Sequence, residues 1–338
     1  MDVLKIAVVL ILNCVSFSSS VVTCPNYCFC YSSDTITSMT CVSLESLNKV
    51  PKNIPAEITT ISIEFTNINA LTDQDFVGLF QLQELLLSSN QLANISSGAL
   101  KDLHRLRILD LSNNLLTTLP PNLFLWTFNL SSLVLQGNRL NKVNPFWFYQ
   151  LQGLKWLDLS KNMLETLLPY SFHNLTSLEI LDLSSNKIKY LPSNLFDDMP
   201  NLDRLTLGEN ELTTFVPGTF DNVINLKYLF LNNNKISRIP SMLFDKVPIL
   251  DMLDLSQNNL TSLPPRLFGN LLHIGAGWQQ GMDLSQNPWV CNCDIKYLWY
   301  WLNINMQKVY FLNTTVCATP ATLRWKAIKA LSEEELMC

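Results

Sequence analysis

The chain has 338 residues, 48% of them hydrophobic, and a net charge of -5. That is ample apolar material for a core, and the mild acidity by itself defines no partner. Without a basic run or basic face, nucleic-acid binding is excluded as a reading.

Residues 1–20 read as a secretory signal peptide. Lys5 supplies the positive start, Ile6 to Leu12 the apolar run, and Ser18 and Ser20 the small residues of a cleavage site. The run is too short to span a bilayer, no later stretch is apolar enough, and the polar end SEEELMC lacks a lipid-anchor tail. The mature chain is expected to be secreted, extracellular and without a membrane span.

Cys14 would leave with the signal. The other eight cysteines stand in two clusters of four: Cys24, Cys28, Cys30 and Cys41, then Cys291, Cys293, Cys317 and Cys338. In an exported chain these read as disulfides, with three pairings possible in each cluster. Zinc is set aside because neither cluster has paired CxxC spacing or a nearby histidine, so no metal site is expected. Residues 21–57 form an N-terminal cysteine cap.

From residue 58 a clock begins. Ile58, Ile61, Ile63 and Ile68 form a degenerate unit with Thr66 in a key position. The pattern LxxLxLxxN then starts at Leu82, Leu106, Leu130, Leu154, Leu178, Leu202, Leu226 and Leu250, every 24 residues without drift. Such a period specifies a leucine-rich repeat solenoid: an α/β horseshoe with a concave parallel β-sheet, repeats over 58–268, and disulfide-bonded caps at both ends.

A second column at the same period is Phe76, Leu100, Phe124, Phe148, Phe172, Phe196, Phe220, Phe244 and Phe268, expected as rings stacked inside the coils. Pro120, Pro192, Pro240 and Pro264 punctuate the turns that follow the strands. Asn90 and its equivalents are assigned to the fold, their amides bonding backbone in adjoining coils.

Residues 269–338 break the clock and form an irregular last repeat and the C-terminal cap. Asn287 falls 29 residues after Asn258, and the stretch GNLLHIGAGWQQG holds four of the ten glycines, so it is expected to bulge. Ile295 to Leu302 looks like a cap helix, with Trp299 and Trp301 as cap core.

Strand residues alternate, so the positions between buried leucines face the concave side. These are Ser62, Leu86, Asp110, Val134, Asp158, Asp182, Thr206, Phe230, Asp254 and Asp283. Two places earlier stand Ile108, Trp156, Ile180, Arg204, Tyr228 and Met252. From these, Asp110, Trp156, Asp158, Ile180, Asp182, Tyr228, Phe230, Met252 and Asp254 are taken as the ligand-binding face, an acidic column beside aromatic anchors. The competing reading of the aspartates is solubility alone.

Five sequons, at Asn94, Asn129, Asn174, Asn259 and Asn313, predict N-glycans. The first three fall on loops or the convex side, while Asn259 lies nearer the sheet edge. His104, His173 and His273 lie in different coils without an evident partner, and GxGxxG, P-loop and HExxH patterns are missing. The chain is read as a non-enzyme with no cofactor.

The segments LQELLLSSN (Leu82–Asn90), LKYLFLNNNK (Leu226–Lys235), LDMLDLSQNNL (Leu250–Leu260), MDLSQNPWVC (Met282–Cys291) and NTTVCA (Asn313–Ala318) resemble the leucine-rich alpha-2-glycoprotein family, secreted leucine-rich repeat proteins. The resemblance spans about Ile58 to Leu331 and includes the sequons at Asn174, Asn259 and Asn313. It implies an acute-phase plasma glycoprotein that binds cytochrome c, engages transforming growth factor beta signalling through endoglin, and promotes angiogenesis. Leucine-rich repeat caps imply the pairing Cys24–Cys30, Cys28–Cys41, Cys291–Cys317 and Cys293–Cys338. Both caps are complete here, a departure from the fewer cap cysteines of the mammalian members. The alternatives are an immune-type repeat receptor, which should carry a threonine-rich stalk, and a matrix-binding protein, for which no Ser-Gly attachment site is present.

Overall fold

A computed structural model describes residues 24–33, 37–42, 46–336 and 338. The signal segment 1–20, with Cys14, lies outside the described residues.

Each repeat contributes a three-residue strand centred on the first leucine of its LxL motif, as in Glu84–Leu86 and Ile108–Asp110. Leu85, Leu109, Leu133, Leu157, Leu181, Leu205, Leu229 and Leu253 are fully buried, and they sit directly beside one another across the sheet. The flanking residues of each triplet point the other way, as the two-residue period of a strand requires. Three residues cannot hold a strand alone, so each leans on its neighbours in the coil before and the coil after. The result, among the described residues, is a thirteen-stranded sheet. It opens with an antiparallel pair, Phe29–Ser32 on Thr37–Val42, and runs parallel from Thr37–Val42 through Met282–Asp283 to Val309–Tyr310.

The asparagines clamp the coils. Asn162 Nδ2 donates to Leu135 O in the preceding coil (3.0 Å) and to Leu159 O in its own (3.1 Å), while its Oδ1 accepts from Leu140 N (3.0 Å). The same set recurs at Asn114, Asn138, Asn186, Asn210, Asn234 and Asn258. All are buried. Removing one such amide strands several buried backbone groups, each costing about 1–3 kcal/mol. Thr66, in the asparagine position of the degenerate unit, instead donates to Asn90 Oδ1 and so receives the ladder's first rung.

The residue before each asparagine is left-handed. Ser89, Asn113, Lys161, Ser185, Glu209, Asn233 and Gln257 have φ between 52° and 57°, and Gly137 fills the same column with φ 68°. That conformation reverses the chain out of the strand so that the asparagine turns inward. An L-residue is strained there by about 1–2 kcal/mol, and the asparagine clamps offset it.

The outer flank is closed by turns, one of them a 3-10 helix at Pro145–Trp147, rather than by α-helices. Pro120, Pro240 and Pro264 open these turns, their carbonyls accepting from Leu123, Leu243 and Leu267. Inside them the phenylalanine column stacks, with centroids 6.0 Å apart for Phe148–Phe172, 6.1 Å for Phe196–Phe220 and 6.3 Å for Phe220–Phe244.

The array ends on two disulfide-bonded caps, Cys24–Cys30 with Cys28–Cys41, and Cys291–Cys317 with Cys293–Cys338. The cap helix is Lys296–Ile304, preceded by a 3-10 turn at Cys293–Ile295, so it starts one residue later and runs two residues further than the sequence suggests. Trp301 lies 4.9 Å from Phe268 and covers the open end of the phenylalanine column. Trp299, only partly buried, anchors its Nε1–H on Leu331 O (3.0 Å).

The glycine-rich stretch contains a five-residue insertion placed just before the last repeat strand. Gly275 N donates to Asp251 O as the clock requires, and the chain resumes pairing when Leu253 N donates to Gly281 O. Between them the loop rises, and the Asp251 carboxylate accepts from Ala276 N (2.8 Å) and Gly277 N. A side chain on Gly277 would collide with that carboxylate, since a Cβ would lie 2.6 Å from its oxygen. Because of the insertion Asn287 reaches 32 residues back, to Leu255 O, for the bond its equivalents make 27 back.

Candidate functional site on the concave sheet

The solvent-facing residues of the strands make two adjoining rows. One runs Ser132, Trp156, Ile180, Arg204, Tyr228, Met252; the other runs Val134, Asp158, Asp182, Thr206, Phe230, Asp254, Asp283. The expected site residues from Trp156 to Asp254 are therefore contiguous, with Asp110 in the second row beside Val134.

They are not equally available. Trp156 is 44% exposed. Ile180, Asp182, Tyr228, Phe230, Met252, Asp254 and Asp110 are half-buried. Asp158 is only 8% exposed and Asp283 is likewise buried, which corrects the expectation that every aspartate of the column is offered to solvent. All five aspartates fold back on their own strand exits, which withdraws part of each carboxylate, and the neighbouring strands enclose Asp158 and Asp283 further. Oδ1 of Asp110, Asp158, Asp182, Asp254 and Asp283 accepts from the backbone N–H two residues on, at 2.7–2.9 Å. Ser184 and Ser256 add hydroxyl donors to Asp182 and Asp254. The aspartates thus help to turn the chain as well as charge the face.

Burial pushes the Asp158 carboxyl above its ordinary pKa, and the charges of Asp182 and Asp110 add to this, against the lowering effect of the hydrogen bond from Ser160 N. Asp254 is raised for the same leading reason, with Asp283 as its like-charged neighbour. A row of partly desolvated, mutually repelling carboxylates is a surface that gains from a cation placed over it.

Its centre already holds one. The Arg204 guanidinium lies 4.4 Å from the Tyr228 ring centroid and 5.5 Å from that of Phe230. Sequence reasoning placed Arg204 in the row but gave no reason to join it to the rings; its position 24 residues before Tyr228 is the signal. The face is a cation–aromatic cluster flanked by carboxylates, Asp158 and Asp182 on one side and Asp254 and Asp283 on the other.

The upstream edge of the sheet, where each strand begins, carries charges that sequence reasoning missed. Lys155 pairs with Glu179 and Lys227 with Asp203, both at 2.7 Å, around a groove of about 620 Å³ floored by Ile180. Both pairs are 24 residues apart, so they bridge adjacent coils, as do Lys235–Glu211 and Lys189–Glu165. Opposite charges at the repeat period are legible in the sequence. Being exposed, such pairs contribute little to stability.

Four sequon asparagines, Asn94, Asn129, Asn259 and Asn313, are exposed, and Asn174 is half-buried. Asn129 lines a second cavity of the upstream edge with Arg105, Arg107 and Lys155, closer to the sheet than the convex side. Asn259 and Asn313 both line a cavity of about 640 Å³ between the last repeat and the C-terminal cap, beside Arg324 and Trp325. Among the described residues no cluster of His, Cys, Asp or Glu is arranged to hold a metal ion, and no helix is long and apolar enough to cross a membrane.

This geometry is that of a repeat scaffold, and the comparisons with known proteins agree. Residues 80–125, 128–188, 176–236 and 224–274 match the leucine rich repeat family, more than half of the chain, and the protein belongs to that family. It is 32% identical over 102 residues to leucine-rich repeat-containing protein 3 of Danio rerio, a stretch that is 30% of this chain and 38% of that protein. It is 38% identical over 80 residues to podocan of Mus musculus, 23% of this chain and 13% of the relative. The matched stretches thus span well under half of these curated relatives. Among solved structures, the leucine-rich repeat domain of FLRT2, in an octameric complex with latrophilin 3 and Unc5D, superposes with a TM-score of 0.71 at 24% identity, over 93% of this chain and 100% of that one. Human 5T4, the trophoblast glycoprotein, gives 0.57 at 24% identity, over 94% and 100%. At that identity the likeness is one of fold.

Proposed function

We propose that this is a secreted glycoprotein that binds a protein ligand on its concave sheet and catalyses no reaction. The observation that carries this reading is the Arg204–Tyr228–Phe230 cluster between two carboxylate pairs. Aromatic anchors with a guanidinium are the residue types that concentrate binding energy, and the carboxylates add steering and register for a basic partner. The FLRT2 repeat domain, solved in assembly with latrophilin 3 and Unc5D, supports protein binding by analogy of fold.

The finer reading follows the resemblance to leucine-rich alpha-2-glycoprotein: a plasma protein that binds cytochrome c, a basic partner suited to Asp110, Asp158, Asp182 and Asp254, and that acts on transforming growth factor beta signalling through endoglin. The test is titration of the mature chain with cytochrome c at low and physiological salt. A variant with those four aspartates changed to Asn is titrated alongside. Asn keeps a carbonyl acceptor for each strand-exit N–H, so the variant should fold. The expected result is salt-sensitive binding that the variant loses. Binding kept by the variant moves the site off the concave sheet. Absence of binding at both salts rejects cytochrome c, and endoglin, the growth factor and a collagen pull-down then become the next trials.

A further inference from the structure

Outside the concave sheet, one exposed patch is more apolar than a solvated flank requires. Phe80, His104 and Phe128 stand 24 residues apart and stack along the array's upstream flank, with centroids 6.4 Å apart and planes inclined by 13° and 20°. Trp126 packs edge-on against His104 at 6.1 Å, and its carbonyl lies 3.3 Å from His104 Nδ1. Phe80, Trp126 and Phe128 remain 52%, 48% and 51% exposed. A contiguous exposed ring surface of this kind implies a cover.

The sequence tethers one beside it. Asn129, exposed and next to Phe128, opens the sequon Asn129-Leu130-Ser131. Its Nδ2 donates to His104 O at 2.8 Å, which holds the amide against the residue at the middle of the ladder. In N-glycosylation this nitrogen displaces a lipid pyrophosphate from C1 of an oligosaccharide donor. The N–C bond forms, the C–O bond to phosphate breaks, and one amide proton leaves. One N–H remains to donate to His104 O, so the amide can keep this anchor while the sugar leaves along the nitrogen's other bond. A pyranose is amphipathic: its C–H bonds carry slight positive charge that suits the negative ring face, and its hydroxyls stay in water.

We propose that the glycan on Asn129 lays its first N-acetylglucosamine units across the Phe80–His104–Phe128 ladder. The chain's own carbohydrate thereby covers the patch and closes the neighbouring cavity lined by Arg105, Arg107 and Lys155 to protein ligands. This rests on the secreted-glycoprotein reading, and the test separates the two.

The full-length chain is secreted from a cell that glycosylates, and occupancy at the five sequons is read by peptide mass spectrometry. Glycans are then trimmed enzymatically to the first sugar, and the N-acetyl methyl resonances are recorded by NMR. The expected result is an occupied Asn129 whose methyl is shifted upfield by the rings relative to that at Asn94. The shift should collapse in Phe128→Ala and persist in Ser131→Thr, which keeps the sequon. Trimming and NMR on the unmutated chain suffice if Phe128→Ala fails to fold. A bare Asn129 with the other sequons occupied overturns this inference alone, as does an occupied Asn129 whose resonance matches that at Asn94. Five bare sequons overturn it together with the glycoprotein reading.

Discussion

At the scale of single residues, the ladder asparagine binds the coils and the strand-exit aspartate charges the face. Asn162→Ala removes bonds to Leu135 O, Leu159 O and Leu140 N at once. We expect a loss of about 3 kcal/mol by chemical denaturation, and Asn162→Asp to do no better, because a carboxylate donates nothing. Asp158→Asn should behave oppositely. The folded carboxyl titrates above its unfolded value, so the folded state holds the proton more tightly. Its contribution to stability is most favourable at low pH and is lost as pH rises from the ordinary carboxylate range through the raised one. Asn carries no such charge and keeps the acceptor for Ser160 N. Melting midpoints over about pH 3–8 should show the variant more stable than the parent at neutral pH and converging with it at the acid end. The asparagine role was legible from spacing. The burial of Asp158 was not, because it depends on how its neighbours and its own turn enclose it.

At the scale of the element, a three-residue strand and the left-handed residue that ends it make one unit. Lys161 occupies that left-handed position where the next coil upstream has Gly137. Lys161→Gly should relieve backbone strain and, after the extra chain entropy that glycine loses on folding, gain about 0.5–1 kcal/mol of stability, read from the denaturation curve. The reverse change, Gly137→Ala, meets Asn113 Oδ1 as well as an unfavourable φ, and should destabilise. This column passes unnoticed in the sequence because its residues, Ser, Asn, Lys, Glu and Gln, share no side-chain chemistry. What they share is a backbone angle imposed by the clamp beside them.

At the scale of the whole molecule, each coil buries its leucines only against the coils on either side, so stability is a chain of neighbour contacts with vulnerable ends. Reducing the disulfides should cost about 2–5 kcal/mol per cap bond. The loss should begin at the terminal coils: amide exchange would rise first around Cys28–Cys41 and Cys291–Cys317, with the strands near Leu157 and Leu181 protected longest. Uniform loss of protection would instead mean that the array unfolds as one block. The same architecture explains why the concave face is broad and shallow. Successive strands add one residue to each row, so Trp156, Ile180, Arg204 and Tyr228 stand side by side without enclosing a pocket.

The sequence by itself determined the solenoid, its period, the buried leucine, phenylalanine and asparagine columns, and which residues face the concave side. These follow from repetition: a residue type recurring at a fixed interval must occupy one environment in every coil. Tertiary structure alone decided what arises between coils. Arg204 reaches the Tyr228 and Phe230 rings, Asp251 holds the five-residue insertion, Asp158 sinks while Asp182 stays half open, and Asn129 is pinned beside a ladder of rings. Those outcomes depend on side chains of different repeats meeting across the stack, where identity, reach and curvature act together and no single repeat carries the information.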